Sequence, residues 1–447
     1  MKTTFRAICA TALLAVASPA AQAQSAAAAA APAAADTARI VLNPGLINPV
    51  SLRSFEAFRT AVEPLIKQMA GKKVVALGEG THGTAEFYRV RFWLTRILME
   101  EHGYTQVALE NDYTDTYLLG QGLRQPAANV SQLMKDHLYG IWQNQESKEL
   151  LTWLQAYNQT HRRRPLALRG IDAAYVLPEA QQLAALAARY PKAGLQPLAV
   201  QLLDAAGTQD SVLSNMNTKF KNYKFSRKRW LGTGLNGYYA AEKMLAALPT
   251  ARLPRRERVL AEGFALDAKL ELELFYKFSV TKKEYSRDSI MAAMTSFLVR
   301  EPGAKVIVWA HNAHVSRQST DPTDSNGGGT GSFIERLLPG QYFALGTATA
   351  TGTYAATTDA RIVRSSAFTA YPLDKPLAGS WEATLAAASA PHFFLFTNQL
   401  GAQNLKRPHR LVGYGPESGK DSYSNFKLTE AYDAVLFLRQ TTAATPL

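Results

Sequence analysis

Two short blocks of the chain concentrate side chains that can move protons. In the first, Leu77-Gly78-Glu79-Gly80-Thr81-His82-Gly83-Thr84 sets a carboxylate three residues before an imidazole. In the second, Trp309-Ala310-His311-Asn312-Ala313-His314 spaces two imidazoles three apart. Glu110 and Asp172 close two other apolar runs. Carboxylates and imidazoles gathered in one partly desolvated cleft have shifted proton affinities and act as general acids and bases near neutral pH. His82, within reach of carboxylates such as Glu79, belongs to this cluster, although an imidazole in a tight glycine turn can also be a hydrogen-bonded structural group. The same residue types also suit a second chemistry, in which His82, Glu110, His311 and Asp172 hold a divalent ion that polarises water. A third reading is a non-catalytic binding protein on the same scaffold.

These residues need a frame that brings them together. Val74-Val75-Ala76-Leu77, Val107-Ala108-Leu109, Leu166-Ala167-Leu168 and Val306-Ile307-Val308-Trp309 are short apolar runs separated by helical periodicity. That pattern marks βα units. Between the first two, Phe87, Val90, Leu94, Ile97 and Leu98 form one stripe that stops before Gly103, with Thr84 as the expected N-cap. Leu150, Leu151, Leu154 and Tyr157 make a second stripe. Further strands are expected at Tyr342 to Thr347, His392 to Phe396 and Ala434 to Leu438. From about 177 to 299 the pattern turns to long helices, and Asp321 to Gly331 is a polar, glycine-rich loop. The expected fold class is α/β, a mainly parallel sheet in an α/β/α sandwich with a helical insertion. In an open parallel sheet ligands bind at the carboxyl ends of the strands. All four runs end there in ionisable groups: Glu79 and His82, Glu110, Asp172, and His311 with His314.

Gly78-x-Gly80-x-x-Gly83 between a strand and a helix also matches a dinucleotide fingerprint, with Glu110 where a ribose ligand would sit. Glu79 argues against it, because a carboxylate beside a pyrophosphate opposes the attraction of a helix N-terminus. Neither a G-x-S-x-G elbow nor an H-E-x-x-H helix is present, and Ser279-x-x-Lys282 lacks its partner motifs.

Lys2 and Arg6 precede an apolar run from Ala7 to Ala17 and a small-residue site at Ala21-Gln22-Ala23, the layout of a secretory signal peptide over residues 1–23. An alanine-rich linker follows over 24–36, and the folded domain is expected over 37–447. A periplasmic or secreted location follows, with no membrane span. The one cysteine, Cys9, lies in the signal peptide, so thiol catalysis is excluded from the mature chain. The net charge of +13 is interspersed, with clusters at His161 to Arg164 and Lys219 to Arg229 and no nucleic-acid motif, so no nucleic-acid partner is expected.

Beyond the two blocks, Glu101-His102-Gly103-Tyr104, Ala108-Leu109-Glu110, Trp142 with Glu146, Trp153-Leu154 with Tyr157-Asn158, Gly170-Ile171-Asp172 and Arg287-Asp288 with Met291 occur in order. Together the chain resembles the erythromycin esterase family from about Val74 to Val315 and more weakly beyond. The resemblance implies a hydrolase of esters or macrolactones, such as the macrolide erythromycin. It also implies that His82 activates water, with Glu79, Arg91, Glu110, His311 and His314 lining the same cleft. Trp142, Asp172 and His314 are then expected to touch substrate, and no cofactor is required. On this reading Arg91 or a protonated His311 supplies the oxyanion donor. One such donor contributes about 3 kcal/mol, so Arg91→Ala should lower kcat more than it alters folding. Gly80 stands where relatives carry a bulkier small residue, and the expected effect is a looser loop.

Overall fold

The computed structural model describes residues 41–219, 226–277, 286–319, 328–358 and 367–447. The expected signal peptide and alanine-rich linker, the Ser279 to Lys282 pair, part of the basic segment 219–229 and the loop around Asn326 lie outside the described residues.

The strands are β1 (Asn48–Pro49), β2 (Val74–Glu79), β3 (Gln106–Asp112), β4 (Ala167–Asp172), β5 (Val306–His311), β6 (Tyr342–Ala356), β7 (Thr369–Pro372), β8 (His392–Phe396), β9 (Arg407–Arg410), β10 (Tyr423–Phe426) and β11 (Ala434–Thr441). Nine of them build one sheet in the order β1, β8, β11, β6, β2, β5, β3, β4, with β7 beside β6. Every pairing from β11 to β4 is parallel. The pairings of β1 with β8, β8 with β11 and β7 with β6 are antiparallel. The sheet is thus mainly parallel, as expected, with an antiparallel margin that the apolar runs do not announce. β9 and β10 form a separate ribbon.

Alternate residues of each central strand enter opposite cores. Val74, Ala76, Val306 and Val308 lie in one, and Val75, Leu77, Ile307 and Trp309 in the other. A parallel strand buried on both faces reads as an unbroken apolar run. The first face is covered by the helices Leu177–Arg189, Gln196–Lys219, Arg227–Ala247, Arg255–Leu272 and Arg287–Leu298. Phe55–Ala61, Glu63–Ala70, Ala85–His102, Val130–His137 and Gln145–Thr160 cover the second. The result is three layers.

The helix Ala85–His102 starts after Thr84 and ends at Gly103, which adopts φ +72°. Thr84 occupies the cap position, but its hydroxyl makes no capping bond. Along the chain β2, β3 and β4 step to one side, β5 returns between β2 and β3, and β6 goes to the far side of β2. In open parallel sheets the loops part at such a reversal, and ligands bind at the carboxyl edge there.

Candidate active site

Strand register does the first part of the assembly. Glu79 at the end of β2 pairs with His311 at the end of β5. Glu110 needs a further device, because β3 slips against β4 between Leu109 and Asp112. β3 spends two residues, Glu110 and Asn111, where β4 spends only Ile171, and such a bulge turns a side chain to a new direction. Gly170 permits it: a Cβ there would stand 2.2 Å from the Asp112 carbonyl oxygen and 2.4 Å from that of Asn111. Asn111 secures the bulge by accepting from the Tyr139 amide at 2.8 Å and donating to the Thr116 hydroxyl at 2.8 Å.

The glycines of the first block serve close packing. A Cβ on Gly78 would lie 2.3 Å from Asn312 Oδ1, one on Gly80 would lie 2.6 Å from the Thr347 carbonyl, and Gly83 has φ +70° against Ala355. The Gly80 amide donates to Thr347 Oγ1 at 3.0 Å. The segment is therefore held against β6, which corrects the expectation of a loosened loop and gives the spacing a reason other than nucleotide binding. Gly80→Ala is expected to destabilise the fold by about 1–3 kcal/mol, because the methyl group must displace main chain. A lowered urea midpoint at unchanged m-value would register it.

His82 Nδ1 lies 2.8 Å from Glu79 Oε1, and Glu79 Oε2 accepts from Arg91 Nη2 at 2.8 Å. The three form a relay at the base of the site, with Glu79 and Arg91 both fully buried. The Arg91 guanidinium is boxed by the rings of Trp309 at 4.7 Å, Tyr88 at 4.8 Å and Trp142 at 5.3 Å. Two expected site residues are engaged within the protein. Arg91 is fully buried against Glu79, and Trp142 is a wall of the arginine box, with its indole N–H donating to the Glu110 carbonyl at 3.1 Å.

Above the relay the His82 ring lies 4.7 Å from that of His311 and 5.3 Å from that of Tyr414. The Val412 carbonyl accepts from the His82 amide at 3.0 Å and lies 3.2 Å from His311 Nε2. The Ala313 amide donates to His311 Nδ1 at 3.3 Å. Burial, reinforced by His82, holds the His311 pKa well below the usual imidazole range. That direction, with Nδ1 accepting from the Ala313 amide, favours the neutral ring over the protonated donor that was expected.

The remaining residues form a charged cluster around Arg287. Its guanidinium grips Asp172 with two bonds, Nε to Oδ1 at 2.8 Å and Nη2 to Oδ2, while Nη2 also donates to Glu110 Oε1 at 2.9 Å. Glu110 Oε2 accepts from the His311 amide at 2.8 Å. His314 Nε2 lies 3.3 Å from Glu110, and Nδ1 lies 2.8 Å from Asp288 Oδ1, which also accepts from the Thr330 amide and hydroxyl. Burial disfavours both charges, yet the neighbouring His314 and Arg287 hold Glu110 well below its usual range. Burial likewise opposes a cationic His314, but Glu110 and Asp288 push its pKa up to about 10. Three carboxylates surrounding Arg287 and His314 explain how two cations stand 3.2 Å apart. Asp172 is fully occupied by Arg287, so it acts on the cleft through that arginine.

His314 makes stability depend on pH in a definite sense. Its folded pKa is raised above the unfolded value, so its contribution is complete below about pH 6.5 and is lost as pH rises through about 10. His314→Gln is expected to flatten the fall in stability over that window, as read from denaturant midpoints at several pH values.

The structure thus brings His82, Glu79, Glu110, His311 and His314 together and adds groups that the pattern of strand ends did not single out: Arg287, Asp288, Tyr414 and the Val412 carbonyl. Arg287 and Asp288 were visible as an acidic and basic pair, while Tyr414 had no signal of its own. Among the described residues no helix is long and apolar enough to cross a membrane.

A model of the erythromycin esterase family matches residues 99–441. YbfO of Bacillus subtilis (strain 168), named only provisionally as a hydrolase, is 24% identical over 403 residues, covering 85% of this chain and 86% of its own. Erythromycin esterase type I of Escherichia coli is 26% identical over 302 residues, 63% of this chain and 68% of that one. The solved structure of a mutant erythromycin esterase, EreC, in its open conformation superposes with a TM-score of 0.66 at 19% identity, over 90% of this chain and 98% of the other. With the family model covering most of its length and the fold shared, the chain belongs to the erythromycin esterase family and is a hydrolase.

Proposed function

We propose that this protein is an exported hydrolase that opens carboxylic esters or macrolactones by direct attack of water activated at His82, without a covalent intermediate. The observation that carries the reading is the His82–Glu79–Arg91 relay. Glu79 engages Nδ1 and so presents Nε2 as the proton acceptor, while Arg91 keeps Glu79 from turning away. A general base of this kind contributes about 10²–10⁴-fold.

In the proposed cycle His82 Nε2 takes one proton from water as the hydroxide oxygen bonds to the acyl carbon, and the carbonyl π pair moves onto oxygen. Arg287 supports the oxyanion: of the cations in the site it alone keeps appreciable side-chain exposure, 20%, against 7% for His314 and none for Arg91. Collapse of the tetrahedral species breaks the acyl–oxygen bond, and the imidazolium of His82 returns its proton to the departing alkoxide. Because His82 is only 3% exposed, the cleft must widen for a ring-sized ester to reach it.

The test is a hydrolysis screen of macrolides and simple aryl esters with the parent and His82→Ala. Product formation by the parent alone supports the reading, and no turnover of either class sinks it. Export is tested separately by the mass of the mature protein, expected to begin at Gln24.

A further inference from the structure

Behind the cleft, and separate from the hydrolytic reading, lies a second group of ionisable side chains. Asp112 ends β3, Glu179 lies in the first turn of the helix Leu177–Arg189, and Asp267 and Glu271 stand one turn apart on the helix Arg255–Leu272. All four are fully buried. One oxygen from each of Asp112, Glu179 and Asp267 lies within 4.8 Å of the others. Among the described residues this is the one trio of acidic or imidazole side chains that converges so closely, whereas the His82, Glu110, His311 and Asp172 set does not.

Two observations outside the trio point into it. Glu271 interacts electrostatically with Glu179 and Asp112. Its Oε2 is buried with no hydrogen-bond partner, although Gln209 Nε2 reaches Oε1 at 3.4 Å. The Thr114 hydroxyl, also fully buried, lies beside the Glu179 carboxyl, close enough to favour its charged form but outside hydrogen-bond geometry. No Lys, Arg or His among the described residues forms an ion pair with Glu179, Asp267 or Glu271. Burial, with these acids acting on one another, raises the pKa of each well above its usual range.

Carboxylates buried without a counter-charge are prohibitively costly, so this group holds either protons or a cation. One proton shared between Asp267 and Glu179 would leave the buried Glu271 Oε2 unserved. An all-oxygen set selects a hard divalent ion. Calcium ligands stand about 2.3–2.6 Å from the metal, so ligands on opposite sides are roughly 5 Å apart, whereas magnesium needs closer oxygens and retains water.

We infer that Asp112, Glu179 and Asp267, with Glu271 behind them, form a buried structural site for a divalent cation of the calcium class. The ion would pin the two helices to the end of β3, two residues beyond Glu110.

The full-length protein, gel-filtered in chelator-free buffer, is expected to retain about one equivalent of divalent metal by elemental analysis. Melting in EDTA should fall by on the order of 5 °C and recover with calcium. Asp267→Asn should carry no metal and lose the calcium response. The proposal is overturned if the parent binds no stoichiometric cation and melts identically in EDTA and in millimolar calcium. It is also overturned if Asp267→Asn melts at or above the parent, the mark of carboxyls neutralised by protons. Should Asp267→Asn fail to fold, the measurements on the parent decide alone.

Discussion

His82→Ala is expected to lower kcat by about 10²–10⁴-fold on whichever ester the parent turns over, while KM changes little. The argument rests on position. The ring touches His311 and Tyr414 and holds Nδ1 against Glu79, so its loss removes the proton acceptor without opening the main core. Glu79 keeps its bond to Arg91 in the variant, and the buried carboxylate stays compensated. The loss should therefore fall on the chemical step, with the melting temperature shifted only slightly. Partial rescue by added imidazole would identify the missing group as a base. A variant with unchanged kcat would refute the assignment.

Arg91→Met is expected to act in the opposite way, with its main effect on folding. Met preserves much of the packed volume but leaves Glu79 a buried carboxylate whose remaining ionic partner is His82. Removing one member of a buried pair costs about 3–5 kcal/mol, and the loss of the cation from its aromatic box adds to that. This reverses the expectation that substitution at 91 would alter turnover more than stability.

The central sheet was legible because its strands are buried on both faces and so appear as unbroken apolar runs bounded by helical stripes. The meeting of Glu79, Glu110, Asp172, His311 and His314 was legible for a related reason: in parallel strands, carboxyl ends share an edge. The depth of Arg91 was not, since a residue in the second turn of a helix faces cleft or core according to how that helix rotates against the sheet. Gly80 was read as loosening, because the nearness of Thr347 depends on β6, some 270 residues away. β1, β7, β9 and β10 have two to four residues each, too few to show a period. Tyr414 and Val412 follow β9 in a stretch whose order comes from tertiary bonds to Gly80 and His82.

One main-chain oxygen, that of Val412, accepts from the main-chain amide of His82 and touches the ring of His311. A backbone amide and a ring tied to one oxygen are mechanically geared: an incoming ester that pushes the 411–413 stretch aside would loosen the turn carrying His82 and free the His311 ring in the same stroke. The enzyme's resting state would then be self-latched, and the bulk of the guest itself would be the key that releases it.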